Sequence, residues 1–464
     1  MIQVTAFAAV FVAALFSQTM SLAGLVLVST VLQAAAVLNV PIGDAGAKGV
    51  GAYGISPYML MALVAGVAWL VRGGQDRTIH LPKQVRLPLG LLMGYGIVAV
   101  IGALTLPKLF TGLQVNLLVE LFGINSLAPL HASLSNIVQA MNLCTHCVVL
   151  LFMLQAAQRV GGFNGLKAGA TGALTVVLFS GFYEQVAQMN GLPSVVPYLA
   201  NNTGYAQAPV SEKMIWYRIG LPFTEPSYAS AYLAATSIGL WAVTLMGQGW
   251  RWSWFLATAS TAGLLNTLGA TGLAAMGVAS VVLFLWVLAN ALRPGAELIL
   301  RLRLGVLCTL LVLVSIFGCH AYQSSIYKIK VDETVSEVIV SKASLKDGSR
   351  ELSNKRALEI VKETYGLGVG LGSNRASSFF ASLVSNTGVL GALLFSGMLL
   401  SLLWRYFKAP QLSDMQIFVA ASLPTATLAM GLGIPDLNLP MYWGFIFLGF
   451  VFCPEDAPMD TTKP

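Results

Sequence analysis

Apolar residues in this chain come in long runs rather than in alternation. Leu89 to Leu106, Val148 to Leu154 and Val278 to Leu292 are solidly apolar or nearly so. Runs near the ~20 residues that a helix needs to cross a bilayer predict membrane-spanning helices. The pattern places spans near 57–71, 88–106, 134–157, 168–190, 228–247, 253–268, 272–292, 304–320, 376–404, 416–432 and 438–453. Residues 4–39 add one or two more, with Ser17, Gln18 and Thr19 as a break, so about 12 or 13 are expected. Barrel strands would instead read as ~10-residue alternating segments. Met1, Ile2 and Gln3 carry no basic side chain and the apolar run continues almost unbroken to Val40, so this segment is read as retained and not as a removable signal peptide.

Composition agrees with a membrane protein and argues against a soluble enzyme. Of 464 residues, 56% are hydrophobic, against 26 Lys and Arg and 19 Asp and Glu. Sixteen of those charged residues lie between Lys328 and Arg375. A charge at the centre of a bilayer costs roughly 2.5 to 3.5 kcal/mol on insertion scales, so such an island belongs in water. The chain therefore divides into a helix bundle over 1–320 with an outer loop at 191–227, a large periplasmic loop over 321–375, and a second set of spans with a short cytoplasmic tail over 376–464.

The net charge of +7 follows from topology and not from nucleic-acid binding. One alternate set of connections carries Arg72, Arg77, Lys83, Arg86, Arg159, Lys167, Arg251, Arg293, Arg301, Arg303, Arg405 and Lys408, which marks the cytoplasmic side. The opposite set, near Pro41 to Ser56, Pro107 to His131, Leu192 to Pro226 and Gly433 to Leu437, holds Lys48, Lys108, Lys213 and Arg218. The island, from Tyr322 to Arg375, falls on that outward, periplasmic side. Cysteines 144, 147, 308, 319 and 453 sit mostly in or beside apolar runs, which argues against a disulfide framework. Cys144-Thr145-His146-Cys147 has redox or metal spacing, but it lies in the apolar run from Ile137 to Leu154 without a second ligand pair, so packing is the preferred reading.

Two outward segments carry candidate chemistry. The first runs from Trp216 and Tyr217 through Arg218 to Glu225, Pro226 and Ser227. Pro226 suits the first position of a helix, and Thr224 or Glu225 can cap it, so a plain helix cap competes with a head-group site built on Arg218 and Glu225. In the second, Asp347 or Ser349 opens and Gly366 closes a surface helix with a stripe of Leu352, Ala357, Ile360 and Val361. Lys355, Lys362 and Glu363 on it read as a solvated face. Gly366, Gly368, Gly370 and Gly372 follow, then Ser373, Asn374, Arg375, Ala376 and Ser377. With no preceding strand and no Lys-Ser/Thr ending this is not a nucleotide-binding loop, yet glycines before a helix start suit phosphate, with Arg375 adding a charge.

These residues resemble the bacterial O-antigen polymerase and ligase superfamily over roughly 215–400. Arg218 to Ser227 is similar to its Arg-Gly-Phe-x-Glu-Pro-Ser loop. Arg350, its helix and the Gly-x-Gly-x-Gly run resemble the family's large periplasmic loop, and Asn374 to Gly391 resembles its Asn-to-glycine helix start. Where ligases and many polymerases have a histidine before the Asn, this chain has Ser373, which removes the family's usual base and weakens a ligase assignment.

The resemblance implies an all-α polytopic membrane protein of about 12 transmembrane helices, GT-C-like, with amphipathic helices in a large periplasmic loop. It implies metal-independent inverting glycosyl transfer, without a cofactor, from undecaprenyl-diphosphate-linked glycans at the periplasmic face of the inner membrane. Arg218, Arg350 and Arg375 would stabilise the diphosphate leaving group, and Glu225 would be the base. Asn374, Ser377, Arg356, Tyr217 and Glu184 are candidate substrate contacts. Arg356 has the alternative of decorating its helix, and Glu184, the second-choice base, that of a hydrogen-bonded structural carboxylate. His131 and His320 read as packing residues. The lipid-linked glycan, the bilayer, a chain-length regulator and a flippase are the implied partners.

A repeat-unit polymerase is the main expectation, with a ligase using the same donor as the alternative. A lipid-linked glycan flippase is less favoured, since no internal repeat or midplane charge pair is visible. A peptidoglycan-type glycosyltransferase rests on fold analogy alone.

Overall fold

The computed structural model describes residues 19–41, 52–73, 81–119, 124–158, 162–202, 210–213, 216–247, 252–292 and 348–455. The order runs α1 (Thr19–Ser29), β1 (Leu38–Pro41), β2 (Ala52–Ile55), α2 (Pro57–Gly73), α3 (Lys83–Leu109), β3 (Gln114–Val119), β4 (Ile124–Pro129), α4 (Leu134–Ala157), α5 (Gly162–Asn190) and α6 (Val196–Leu199). It continues with β5 (Val210–Lys213), β6 (Trp216–Ile219), α7 (Pro226–Met246), α8 (Ser253–Thr267), α9 (Ala270–Ala291), α10 (Gly348–Glu363), α11 (Phe379–Lys408), α12 (Asp414–Gly433) and α13 (Pro440–Val451). Helices dominate, and α3, α4, α5, α7, α9, α11 and α12 are long and apolar enough to cross a bilayer. This is a multi-pass membrane protein.

Seven such helices among the described residues fall short of the expected dozen. The run at 304–320 and the start of the run at 4–39 lie outside the described residues. The run at 438–453 forms α13, of only 12 residues, all of them buried. At 1.5 Å per residue it covers roughly 18 Å of a ~30 Å hydrocarbon layer. A helix that is apolar all round belongs inside protein, and α13 is a core element walled in by longer helices. Its counterpart is α7, in which 83% of the span is buried. Ala, Ser and Gly on α7 let neighbours approach closely: a Cβ on Gly239 would sit 2.9 Å from the Phe418 carbonyl oxygen of α12.

The connections at one end of the bundle are not plain loops. Three antiparallel hairpins, β1–β2, β3–β4 and β5–β6, occupy them. They lie at one end of the bundle, the loop end, where the Ala34 N–H reaches the Pro222 carbonyl and the Asn202 N–H the Ala34 carbonyl. The surface helix α10 packs on β3–β4 and α11, enclosing a small second core of Val115, Leu130, Ile360 and Val369. Its buried face is Ser353, Ala357, Ile360 and Thr364. Leu352, expected in that stripe, is 63% exposed, because stepping back from Ile360 by three and then four residues lands on Ser353.

The glycine run docks on a break in α11. Gly388 has φ +70° and ψ −179°, which interrupts the helix and releases the groups around it. The Val369 and Gly370 N–H groups donate to the Ser385 and Asn386 carbonyls, both at 2.9 Å, and the Val389 N–H donates to the Gly366 carbonyl at 2.8 Å. Irregular backbone beside a membrane helix persists only when protein satisfies it in this way. Backbone lies on backbone here, and a Cβ on Gly368 would meet the Gly388 nitrogen at 2.7 Å. The buried Asn386 side chain ties the rest: Oδ1 accepts from the Ser373 and Asn374 N–H groups, and Nδ2 donates to the Asn374 and Ser382 carbonyls.

Gly388→Ala forces an L residue into a positive-φ, extended region that is essentially glycine's alone, costing about 1–3 kcal/mol before any clash. Asn386→Ala leaves buried N–H groups unpaired at about 1–3 kcal/mol each. Thermal unfolding of the detergent-solubilised protein should show both variants melting well below the parent, with Asn386→Ala the lower.

Candidate functional site

Three segments far apart in sequence meet at the loop end. The first, 220–227, makes a tight turn in which the Phe223 N–H returns to the Gly220 carbonyl at 2.9 Å. Fully buried Phe223 anchors it against Tyr232 of α7, 5.7 Å between ring centroids. Pro226 takes the first position of α7 and Glu225 the cap position, but the Glu225 side chain makes no capping bond. Its Oε2 instead accepts from the Ser227 hydroxyl at 3.0 Å. A half-buried carboxylate released from capping is available for chemistry.

The second segment, 373–378, carries Arg375. The Arg375 N–H donates to the Asn116 carbonyl of β3 at 3.0 Å, so the hairpin sets where this arginine stands. Its charge acts on the Tyr228 hydroxyl in the first turn of α7. The third segment joins α12 to α13 and carries Asp436, whose Oδ1 accepts from the Asn438 N–H at 3.0 Å. Desolvation pushes the Asp436 carboxyl above the ordinary aspartate value, opposed by that N–H and by the Arg375 charge. The Tyr228 hydroxyl feels Arg375, Glu225 and Asp436 together. One guanidinium, one phenol and two carboxylates thus share a single field.

Of the expected residues, Glu225 and Arg375 stand in this cluster. Tyr217 and Arg218 pair with Glu212 and Ser211 in the β5–β6 hairpin, and Arg350 lies in the first turn of α10, one turn before Asn354; the side chains of these three lie outside the described residues. Asn354 Oδ1 accepts from the Ser377 and Ser378 N–H groups, so α10 steers the chain just after Arg375. The side chain of Asn374, 6% exposed, is engaged on both sides: Oδ1 accepts from the Asn116 N–H and Nδ2 donates to the Ser385 hydroxyl. That makes it a fastener of β3 to α11. Arg356 is engaged too, with Glu359 at 3.1 Å, Glu363 at 2.7 Å and the Gln114 carbonyl, which binds α10 to β3. Its hydrogen bond, with its charge behind it, holds the Glu363 carboxyl below the ordinary range. Glu184, fully buried, accepts from Gln188, Ser194 and the Val195 N–H, and so pins the loop after α5. His131 is exposed against the Pro129 carbonyl, and His320 lies outside the described residues.

The glycine run does not act as a backbone cradle for phosphate. The N–H groups of residues 366–370 and of 373–378 already donate to protein acceptors. Among the described residues no group of His, Cys, Asp and Glu could hold a metal ion. Cys144 is exposed and Cys147 half-buried while His146 points inward, so the four-residue motif is divided between environments.

Sequence reasoning missed Asp436 and Tyr228. Asp436 is the only acidic residue between Asp414 and Glu455 and sits in a loop that the charge pattern assigns to the outward side, which is a usable signal. Tyr228 stands one position beyond the Glu-Pro-Ser segment, and nothing in sequence distinguishes it from a packing aromatic.

The raised Asp436 carboxyl gives a signed stability test. The folded state holds that proton more tightly than the unfolded chain, so stability is fullest below the ordinary aspartate value and falls as pH climbs from there through the raised one. Asp436→Asn keeps the acceptor for Asn438 and removes this loss. Its Tm at pH 7 should equal or exceed the parent's, with the advantage vanishing below about pH 4. No family model matches the chain, and no curated protein matches it either.

Proposed function

We propose that the protein is a glycosyltransferase that joins undecaprenyl-diphosphate-linked oligosaccharide units, a polysaccharide polymerase working at the loop end. The observation that carries this reading is the meeting of Arg375, Tyr228, Glu225 and Asp436 where the apolar bundle ends. A lipid-linked donor keeps its polyprenyl chain in the bilayer and its diphosphate at the boundary, and a cluster at the ends of apolar helices suits such a donor. Arg375 and the Tyr228 hydroxyl are donors suited to the charge that develops on the departing diphosphate. Glu225 is suited to take the proton from the attacking sugar hydroxyl, which adds to the anomeric carbon as the bond to phosphate breaks from the opposite face.

The cluster supplies cationic and carboxylate groups without recourse to a metal. Arg218 and Arg350 belong to the same proposal, since the hairpin β5–β6 leads into the Glu225 turn and α10 fixes the Arg375 segment. The orientation proposed is the bacterial inner membrane with the loop end in the periplasm, because Lys83, Arg86, Lys167, Arg405 and Lys408 lie at the far ends of their helices.

The test is the length distribution of surface polysaccharide in cells carrying Arg375→Ala, Glu225→Gln or Lys355→Ala, with membrane levels of each variant measured alongside. Arg375→Ala and Glu225→Gln should lower polymer by roughly 100-fold or more, leaving single units, while Lys355→Ala on the exposed face of α10 should leave chain length unchanged. Normal chains that stay on the carrier would mean a ligase. Unaltered polysaccharide in both site variants would sink the proposal.

A further inference from the structure

The two loops that bring Arg375 and Asp436 together are held by one face of α4. Near its start, Asn136 Nδ2 donates to the Leu371 carbonyl at 2.8 Å and to the Ser373 hydroxyl at 2.7 Å, and the Ser135 hydroxyl to the Gly372 carbonyl at 3.3 Å. One turn further, the Gln139 carbonyl and Oε1 both accept from Asn438 Nδ2, at 3.0 and 2.6 Å. Two turns beyond that, His146 Nε2 meets the Asn438 carbonyl at 3.2 Å. Positions 136, 139 and 146 recur at helical spacing, so a polar stripe on a membrane helix grips first the Arg375 segment and then the Asp436 segment.

His146 is the deepest member and the one least explained by packing. It is 1% exposed, stacked on Trp443 of α13 at 4.5 Å with rings 11° apart, and its Nδ1 lies 2.6 Å from the Tyr58 hydroxyl of α2. A carbonyl only accepts, so Nε2 must carry a hydrogen; in the neutral ring Nδ1 is then an acceptor and Tyr58 is its donor. Both ring nitrogens are thereby committed and the imidazole is fixed in orientation. Trp443 adds a second hold by donating from Nε1 to the Leu437 carbonyl at 3.1 Å. A polar group in a membrane helix needs a reason beyond filling space, since leucine or phenylalanine would fill the same volume without desolvation cost.

We infer that His146, oriented by Tyr58, is a positioning residue that holds the Asn438 backbone so that Asp436 stays facing Arg375. The chain of contacts is Tyr58 to His146 to the Asn438 carbonyl, and from the Asn438 N–H to Asp436. This role rests on the proposed transfer reaction only for its effect on rate; the effect on the loop is independent of it.

The experiment uses full-length protein in lipid nanodiscs and compares His146→Phe, His146→Gln and Tyr58→Phe with the parent. One readout is amide hydrogen exchange over residues 434–439, and the other is kcat and KM with an undecaprenyl-diphosphate-linked oligosaccharide. His146→Phe should speed exchange there about tenfold and lower kcat about 10- to 100-fold with KM nearly unchanged, as loss of positioning does. His146→Gln, which keeps an N–H at the Nε2 position, should recover most of both. Tyr58→Phe should fall between the two and serves if His146→Phe fails to insert. Unchanged exchange in His146→Phe and Tyr58→Phe, or equal damage in His146→Gln and His146→Phe, would overturn the positioning role. A parent protein inactive on the lipid-linked donor would overturn the transfer reading, with the exchange measurement still judging His146.

Discussion

The break in α11 at Gly388 is the constraint on which the loop end depends. A continuous helix would consume the Ser385 and Asn386 carbonyls internally. Once Gly388 turns left-handed, those carbonyls face the glycine run, which lies across them backbone to backbone. Gly368, Gly370 and Gly372 are then steric necessities, because a Cβ there would come within 3.0 Å of main chain in α11, α3 or α4, while Gly366 is called for by its φ of +83°. The same break lets Asn386 tie down Ser373 and Asn374, the residues immediately before Arg375. A defect in one membrane helix therefore determines where a cation stands some distance away in sequence.

Much of the architecture was legible from hydrophobic runs. Ten of the eleven spans read downstream of Pro57 lie on helices of the structure, and the eleventh is outside the described residues. What the runs could not distinguish was a helix facing lipid from one facing protein. Both are apolar throughout, and only the shortness of α13 and the small residues of α7 separate the core pair from α9, of which 22% is buried. The hairpins were invisible for a related reason: four- to six-residue strands between membrane helices leave too little alternation to register.

The site was legible in part, for a reason that follows from chemistry. Glu225 and Arg375 carry unusual charge near helix starts and stand out against an apolar background. Arg356, Asn374 and Glu184 carry the same kinds of groups, yet sequence cannot show that a partner has already taken them. Arg356 is met by two glutamates and a carbonyl, Glu184 by three donors, and Asn374 by backbone and hydroxyl. Conversely, Tyr228 acquires a role only because α7 begins beside two loops that fold back from elsewhere. Saturation and convergence are properties of three-dimensional neighbours.

The two arginines near β3 show how one charge supports another. Arg356 clamps α10 to the Gln114 carbonyl, which steadies the hairpin. Two residues along that strand, Asn116 passes the constraint on, taking the Arg375 N–H on its carbonyl and giving its own N–H to Asn374. An arginine already paired with carboxylates is poorly suited to receive a diphosphate, because binding would require breaking bonds it has. Around Arg375 stand the Tyr228 phenol and the carboxylates Glu225 and Asp436, all within one electrostatic field. Under the proposed function, that arrangement holds a guanidinium where a dianionic leaving group would need it.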